Sequence, residues 1–412
     1  MLETPAGAGG PRLAAKAAAL GAALLLAGGA RAAFPPWEIS GAEGLDPALV
    51  SALAERAQAD LRSALEEVPR ALGVAPGEVP VRWILDFAAA RPAGREGGRP
   101  EGAPRYIEAG STAFANGGAL AVEIRACRFL RRPEGIRAAI FHEAAHAVLA
   151  SRAGSRERYA RIPWWFREGL ALRGSGEGPE RAGELAAYLA FRGRRARDAL
   201  AGIPLGEPGS RAVLPEEAFL AVDRLASAVG DADFRRLCAS VARGTRLEDE
   251  LAARFGDLAS LRAALRRDAE ERLAGLLPPG VELRFRRSLE ASEKGGPAAA
   301  EAPWRELLEE DPRGALSSTL RYLLGRALLE GAPGSARARE AEEHLRGVVD
   351  GPSALWRPEA LVLLGERLAR DGRSDEARDL WEEAIYAFGD DAALAARARR
   401  NLERLPSTST SR

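Results

Sequence analysis

The chain of 412 residues contains three histidines, and two of them flank a glutamate in His142-Glu143-Ala144-Ala145-His146. Residues four apart share one face of an α-helix, so both imidazoles can reach a single cation. Zinc accepts such nitrogen ligands, and a catalytic zinc site commonly takes three protein ligands and keeps one position for water. Glu143 projects beside that open position, where its carboxylate can accept a proton from the water, whose pKa the ion lowers to about 7. The chemistry this pattern suits is hydrolysis, with the hydroxide attacking a carbonyl that the same ion polarises. Ile140, Phe141, Ala144, Ala147, Val148 and Leu149 make the helix apolar nearly all round. That predicts burial, and buried imidazoles need partners.

A third ligand is required. His344 lies far along the chain among helical repeats, so the expected ligand is a carboxylate. Glu168, in Pro163-Trp164-Trp165-Phe166-Arg167-Glu168-Gly169-Leu170-Ala171, is the choice. Trp165 and Leu172 fall on flanks that can pack inward, and Gly169 lets another backbone approach closely. Glu157 competes for the role, but it sits between Arg156 and Arg158 in what reads as a loop, where a solvated ion pair explains it.

These residues have to be positioned by the elements around them. Asp46 as cap and Pro47 in the first turn open a helix that runs to about Leu72. After a loop over residues 73–80, Val81 to Leu85 reads as a buried strand, and Ala88 to Pro104 is a Gly-, Pro- and Arg-rich surface loop. Asn116-Gly117-Gly118 between Ser111–Ala115 and Ala119–Cys127 is a hairpin signal, because Asn and Gly tolerate positive φ. Pro133 opens the histidine helix, which continues to about Arg152, and a second helix starts near Pro163. From there to about Leu277 the pattern is helical, broken at residues 174–179, 202–214, 230 and 244. Strands first and helices afterwards predict an α+β domain.

HExxH followed by W-x-x-E-G-x-A resembles the gluzincin superfamily of zinc peptidases, which includes the thermolysin-like enzymes, and within it the compact bacterial peptidase MA-like domains. The resemblance in layout spans roughly Val81 to Leu277, while its specific residues lie between His142 and Ala171. It implies a thermolysin-like catalytic domain with a small mixed sheet and an active-site helix. One Zn2+ would be held by His142, His146 and Glu168, with Glu143 as general base. It also implies that Ala119–Ala126 is the edge strand along which an extended substrate pairs, and that the helices after Gly178 close the cleft as a smaller lobe. Many relatives stabilise the oxyanion with a Tyr or His. Tyr159 and Tyr188 are the candidates here, and the residues name no carboxylate to orient a ligand histidine.

The last third repeats itself. Gly295, Ala300, Trp304, Leu307 and Pro312 are echoed by Gly372, Ala377, Trp381, Ala384 and Gly389, with a looser copy around Leu324-Gly325, Ala341, Leu345 and Val348. The period resembles that of tetratricopeptide repeats, about 34 residues. Three copies of an antiparallel helix pair and a capping helix around Ala392 to Leu405 are expected, with a protein as partner. The domain reading is therefore a signal peptide over 1–32, a peptidase MA-like domain over 33–279, repeats over 280–405 and a disordered tail over 406–412.

Arg12 and Lys16 precede an apolar run from Ala17 to about Ala30, ending in Ala30-Arg31-Ala32. This is the order of a secretory signal peptide, cleaved after Ala32, and it predicts a periplasmic or secreted protein. Only an uncleaved segment would bring it to a membrane. The 59 basic and 59 acidic residues cancel, which leaves no electrostatic footprint for nucleic acid. Cys127 and Cys238 are compatible with one disulfide or with two buried thiols. The functional expectation is an exported zinc metallopeptidase acting on a peptide or protein. The alternative is a catalytically weak zinc-fold scaffold whose repeats bind a protein partner.

Overall fold

The computed structural model describes residues 37–405 apart from 89–109, 115–118, 131, 195, 197–198, 201, 206–212, 330–334, 352–354 and 389–390. The signal segment, most of the loop from Ala88 to Pro104, the Asn116-Gly117-Gly118 turn and the tail from Pro406 lie outside the described residues.

Local chemistry sets the first long helix, α1 (Pro47–Leu72). The Asp46 carboxylate accepts from the Ala48 amide at 2.9 Å, and Gly73 ends the helix in the left-handed region at φ +65°. The described residues also hold four short strands, β1 (Trp37–Ser40), β2 (Val81–Asp86), β3 (Gly110–Phe114) and β4 (Leu120–Arg125), in the order β1-β2-β4-β3. β1, β2 and β4 are parallel, and β3 joins antiparallel to β4 with Thr112 opposite Val122. Alternation along the strands puts Trp83, Leu85, Val122 and Ile124 on the buried face.

The strand order overturns one sequence expectation. Ala119–Ala126 is not an edge: β4 lies between β2 and β3, and among the described residues the outer strand on the side of the histidine helix is β3. The four-residue strand β1 had no sequence signal strong enough to be read.

A 3-10 turn at Pro133–Gly135 leads into α2 (Ile136–Ala153), the helix that carries both histidines, which ends at Gly154 with φ +75°. It is buried on most sides, with Ile140, Ala144, Ala145 and Ala150 fully covered, and it packs against α1, β3 and β4. A short helix, α3 (Arg156–Arg161), follows behind a Ser155 cap. Glu157 therefore lies on a helix and not in a loop, and it is exposed. Next come α4 (Trp164–Ser175), α5 (Gly178–Phe191) and α6 (Pro215–Val229). Gly169 is where α4 meets α6: a Cβ there would collide with the Ala218 carbonyl oxygen, so only glycine permits this approach.

The remaining helices are α7 (Asp231–Ala242), α8 (Leu247–Phe255), α9 (Leu258–Leu276), α10 (Pro279–Gly295), α11 (Glu301–Glu310), α12 (Ser317–Leu328), α13 (Ala336–Val349), α14 (Arg357–Arg370), α15 (Ser374–Phe388) and α16 (Ala392–Arg404). With one small mixed sheet and sixteen α-helices among the described residues, the chain is α+β. The small residues of the repeated pattern sit where helices touch. A Cβ on Gly325 would lie 2.7 Å from the Leu345 side chain, and one on Gly365 would strike the Trp381 indole. Both halves contribute to one continuous buried cluster. Trp356 stacks on Tyr322 at 4.5 Å and meets Phe191 of α5 edge-on at 5.1 Å, while the Tyr386 hydroxyl donates to the Phe87 carbonyl. Cys127 and Cys238 are two separate buried thiols with no disulfide, and burial pushes them up to about 11 and about 12. No helix among the described residues is long and apolar enough to cross a membrane.

Candidate metal centre

Two helices bring their side chains to one point. Helix α2 supplies His142 and His146 one turn apart, and α4, held against α6 at Gly169, brings Glu168 over them. The two Nε2 atoms lie 3.2 Å apart. Glu168 Oε1 is 3.4 Å from His142 Nε2, and its Oε2 is 3.6 Å from His146 Nε2. Ligands placed tetrahedrally about 2.0–2.1 Å from a common ion are about 3.3 Å from one another. Charged N–H···O hydrogen bonds are shorter, about 2.7–2.9 Å. The observed separations match the edges of a coordination polyhedron better than they match a hydrogen-bonded cluster. Among the described residues this is the one group of three such side chains that could hold a metal ion.

Electrostatics favour a cation there. Burial opposes charge on His142, but the Glu168 carboxylate, aided by Glu143 and Glu177, outweighs it and raises the imidazole to about 9. Burial likewise opposes charge on Glu168, yet His142 and His146 hold its carboxyl far below the usual range. A proton thus occupies a place suited to a metal. A raised histidine contributes stability that is complete below its unfolded value near 6.5 and is lost as pH climbs through about 9. A depressed carboxylate contributes stability present above about 4.5 that is lost on acidification. The chelator-treated protein is therefore expected to be most stable near pH 5–6.5, with its urea midpoint falling toward pH 9. Urea titrations across that range check this, and a flat profile would contradict the His142–Glu168 coupling.

Glu143 points into the same site and is 5% exposed. The Thr112 hydroxyl of β3 donates to its Oε2 at 2.8 Å and so holds the carboxylate in place. Thr112 and Phe114 turn toward α2, while Ser111 and Ala113 are exposed, as period-two alternation requires. The sequence reading missed Thr112, whose signal was no more than this alternation.

Tyr159 of α3 lies at the site, with its hydroxyl 3.1 Å from His146 Nδ1. The Arg167 guanidinium lies 4.3 Å above its ring, and Phe114 packs at 6.3 Å. Burial pushes the phenol up to about 12, so it is neutral at ordinary pH. Tyr188 is different: it is buried on α5, the helix that follows the one carrying Glu168. His344 stays on α13, its Nε2 3.6 Å from Glu340 Oε1, apart from the centre.

No family model, curated protein or solved structure matches the chain.

Proposed function

We propose that the protein is a zinc metallopeptidase of gluzincin type that hydrolyses peptide bonds. The reading is carried by one observation: two imidazole nitrogens and a carboxylate stand 3.2–3.6 Å apart, with a second buried carboxylate beside them. Two nitrogen donors and one oxygen donor suit zinc, and a catalytic zinc uses three protein ligands. A bound zinc ion supplies a Lewis acid that polarises a carbonyl and makes water a usable nucleophile near neutral pH.

The chain's own groups do the rest. Glu143 accepts the proton of the attacking water, its carboxylate held by the Thr112 hydroxyl. It then delivers that proton to the departing amine. Among the described residues β3 is the outer strand beside the centre, so an extended substrate can pair along it and lie across the site. This reading moves the substrate strand from Ala119–Ala126 to β3. The thermolysin-like character of residues 33–279 and the tetratricopeptide-like character of 280–405 belong to the same proposal, in which the helical repeats hold a protein partner or help to present substrate. The signal-peptide pattern over residues 1–32 supports a periplasmic or secreted location.

Metal analysis of the purified protein combined with digestion of a broad peptide library tests the reading. One zinc per chain and zinc-dependent cleavage are expected. One zinc with no cleavage would favour the scaffold alternative, and no metal at all would remove both.

A further inference from the structure

Tyr159 has one role by resemblance and another by geometry. An oxyanion donor must reach the open side of the metal, where the substrate carbonyl sits. The Tyr159 hydroxyl lies instead on His146 Nδ1, at 3.1 Å. The two nitrogens of an imidazole point away from one another, and His146 Nε2 is the one turned toward His142 and Glu168. The hydroxyl thus sits behind the ligand ring, on the far side from the cation position.

We infer that Tyr159 is a positioning residue for the metal centre, accepting the Nδ1 proton of His146 and so keeping the Nε2 lone pair aimed at the ion. This rests on the reading that His142, His146 and Glu168 bind zinc. Histidine ligands commonly donate their second N–H to a carboxylate, carbonyl or water, which fixes tautomer and ring orientation. Among the described residues, the group on Nδ1 here is a phenol oxygen.

The surroundings are built to hold that phenol still. Gly154 ends α2 in a left-handed turn, and the Ser155 side chain caps α3 by accepting from the Arg158 amide at 3.3 Å. Five residues therefore return the chain so that Tyr159 lies against the helix it has just left. Arg167 presses on one face of the ring at 4.3 Å and Phe114 approaches from β3. Arg167 is the sequence neighbour of Glu168, so α4 delivers a ligand and the clamp on another ligand's partner from adjacent positions. A displacement of α4 would disturb two ligands together.

The test is the zinc affinity of Tyr159→Phe, measured by competition with a chelator. Phenylalanine keeps the ring against Arg167 and Phe114 and removes only the oxygen. The zinc dissociation constant is expected to weaken by about 10–100-fold, while kcat at saturating zinc changes much less. A variant with the parent's zinc affinity overturns the inference. If its kcat at the same time falls by about 10²–10³-fold, the hydroxyl is an oxyanion donor after all. Arg167→Met, which leaves the hydroxyl in place but loosens the ring, is expected to weaken zinc in the same direction and by less. If it tightens zinc, the clamp is wrong. A parent protein that binds no zinc overturns the metal reading itself and this inference with it, a result distinct from a parent that binds and a Phe variant that binds equally well.

Discussion

Glu143→Gln is expected to keep one zinc per chain and to lose peptide turnover by about 10²–10⁴-fold, the usual contribution of a positioned general acid–base group. The two halves of this result have separate causes. Zinc is retained because Glu143 is not among the three side chains whose donor atoms converge. Turnover is lost because an amide cannot accept a proton at neutral pH. Gln is a better replacement than Ala at this position. The side chain is 5% exposed and receives a hydrogen bond from Thr112. Ala would remove that hydroxyl's nearer acceptor and open a cavity, mixing a stability loss into the kinetic one. The amide oxygen of Gln can still accept from Thr112, which directs its NH2 group, a donor only, to the place where Oε1 stood. Initial rates on a fluorogenic peptide at saturating substrate, with zinc measured on the same sample, check the expectation. Cleavage at the parent's rate would remove Glu143 from the mechanism.

How much of this was legible in the sequence depends on how local the determining interaction is. The limits of α1 were readable because Asp46, Pro47 and Gly73 act on their own neighbours. The β3–β4 pairing was readable because Asn116-Gly117 is a turn signal between two β-prone runs. The His142–His146 spacing was readable because helix periodicity converts sequence distance into spatial distance. Gly169 announced a close approach, and the Ala218 carbonyl is what approaches.

What failed was non-local. Strand order is not written in any one strand, so β4 was placed at an edge when β3 occupies it. The contacts of Thr112 with Glu143 and of Tyr159 with His146 join residues 31 and 13 positions apart. They come from the packing of β3 and α3 on α2, which no periodicity reports. Glu157 was read as a loop residue because Ser155, which caps α3, was not weighed as a helix start.

Glu168→Ala is expected to be the most damaging single change at the centre. Structural zinc sites with four ligands bind with about 10–16 kcal/mol, or roughly 2.5–4 kcal/mol for each ligand, so losing one carboxylate weakens zinc by about 10²–10³-fold. Turnover at ordinary zinc concentrations then disappears for lack of metal, and excess zinc recovers only part of it. The metal-free protein suffers as well, because Glu168 is the main source of the attraction that raises His142. Without it the apo form loses the stability that the pair contributes below pH 9, and the fall of its urea midpoint between pH 6.5 and 9 flattens. Glu168→Asp separates charge from reach. The α4 backbone packs closely on α6 at Gly169, so a shift to compensate for a missing methylene would disturb that contact. An aspartate there keeps the charge near His142 but stops short of the point where the two Nε2 atoms meet. Isothermal titration of zinc into the chelated variants, with urea melts at pH 6 and pH 9, distinguishes these terms. Parent-like zinc affinity in Glu168→Ala would mean that some other acid supplies the third ligand, and the centre would have to be redrawn around it.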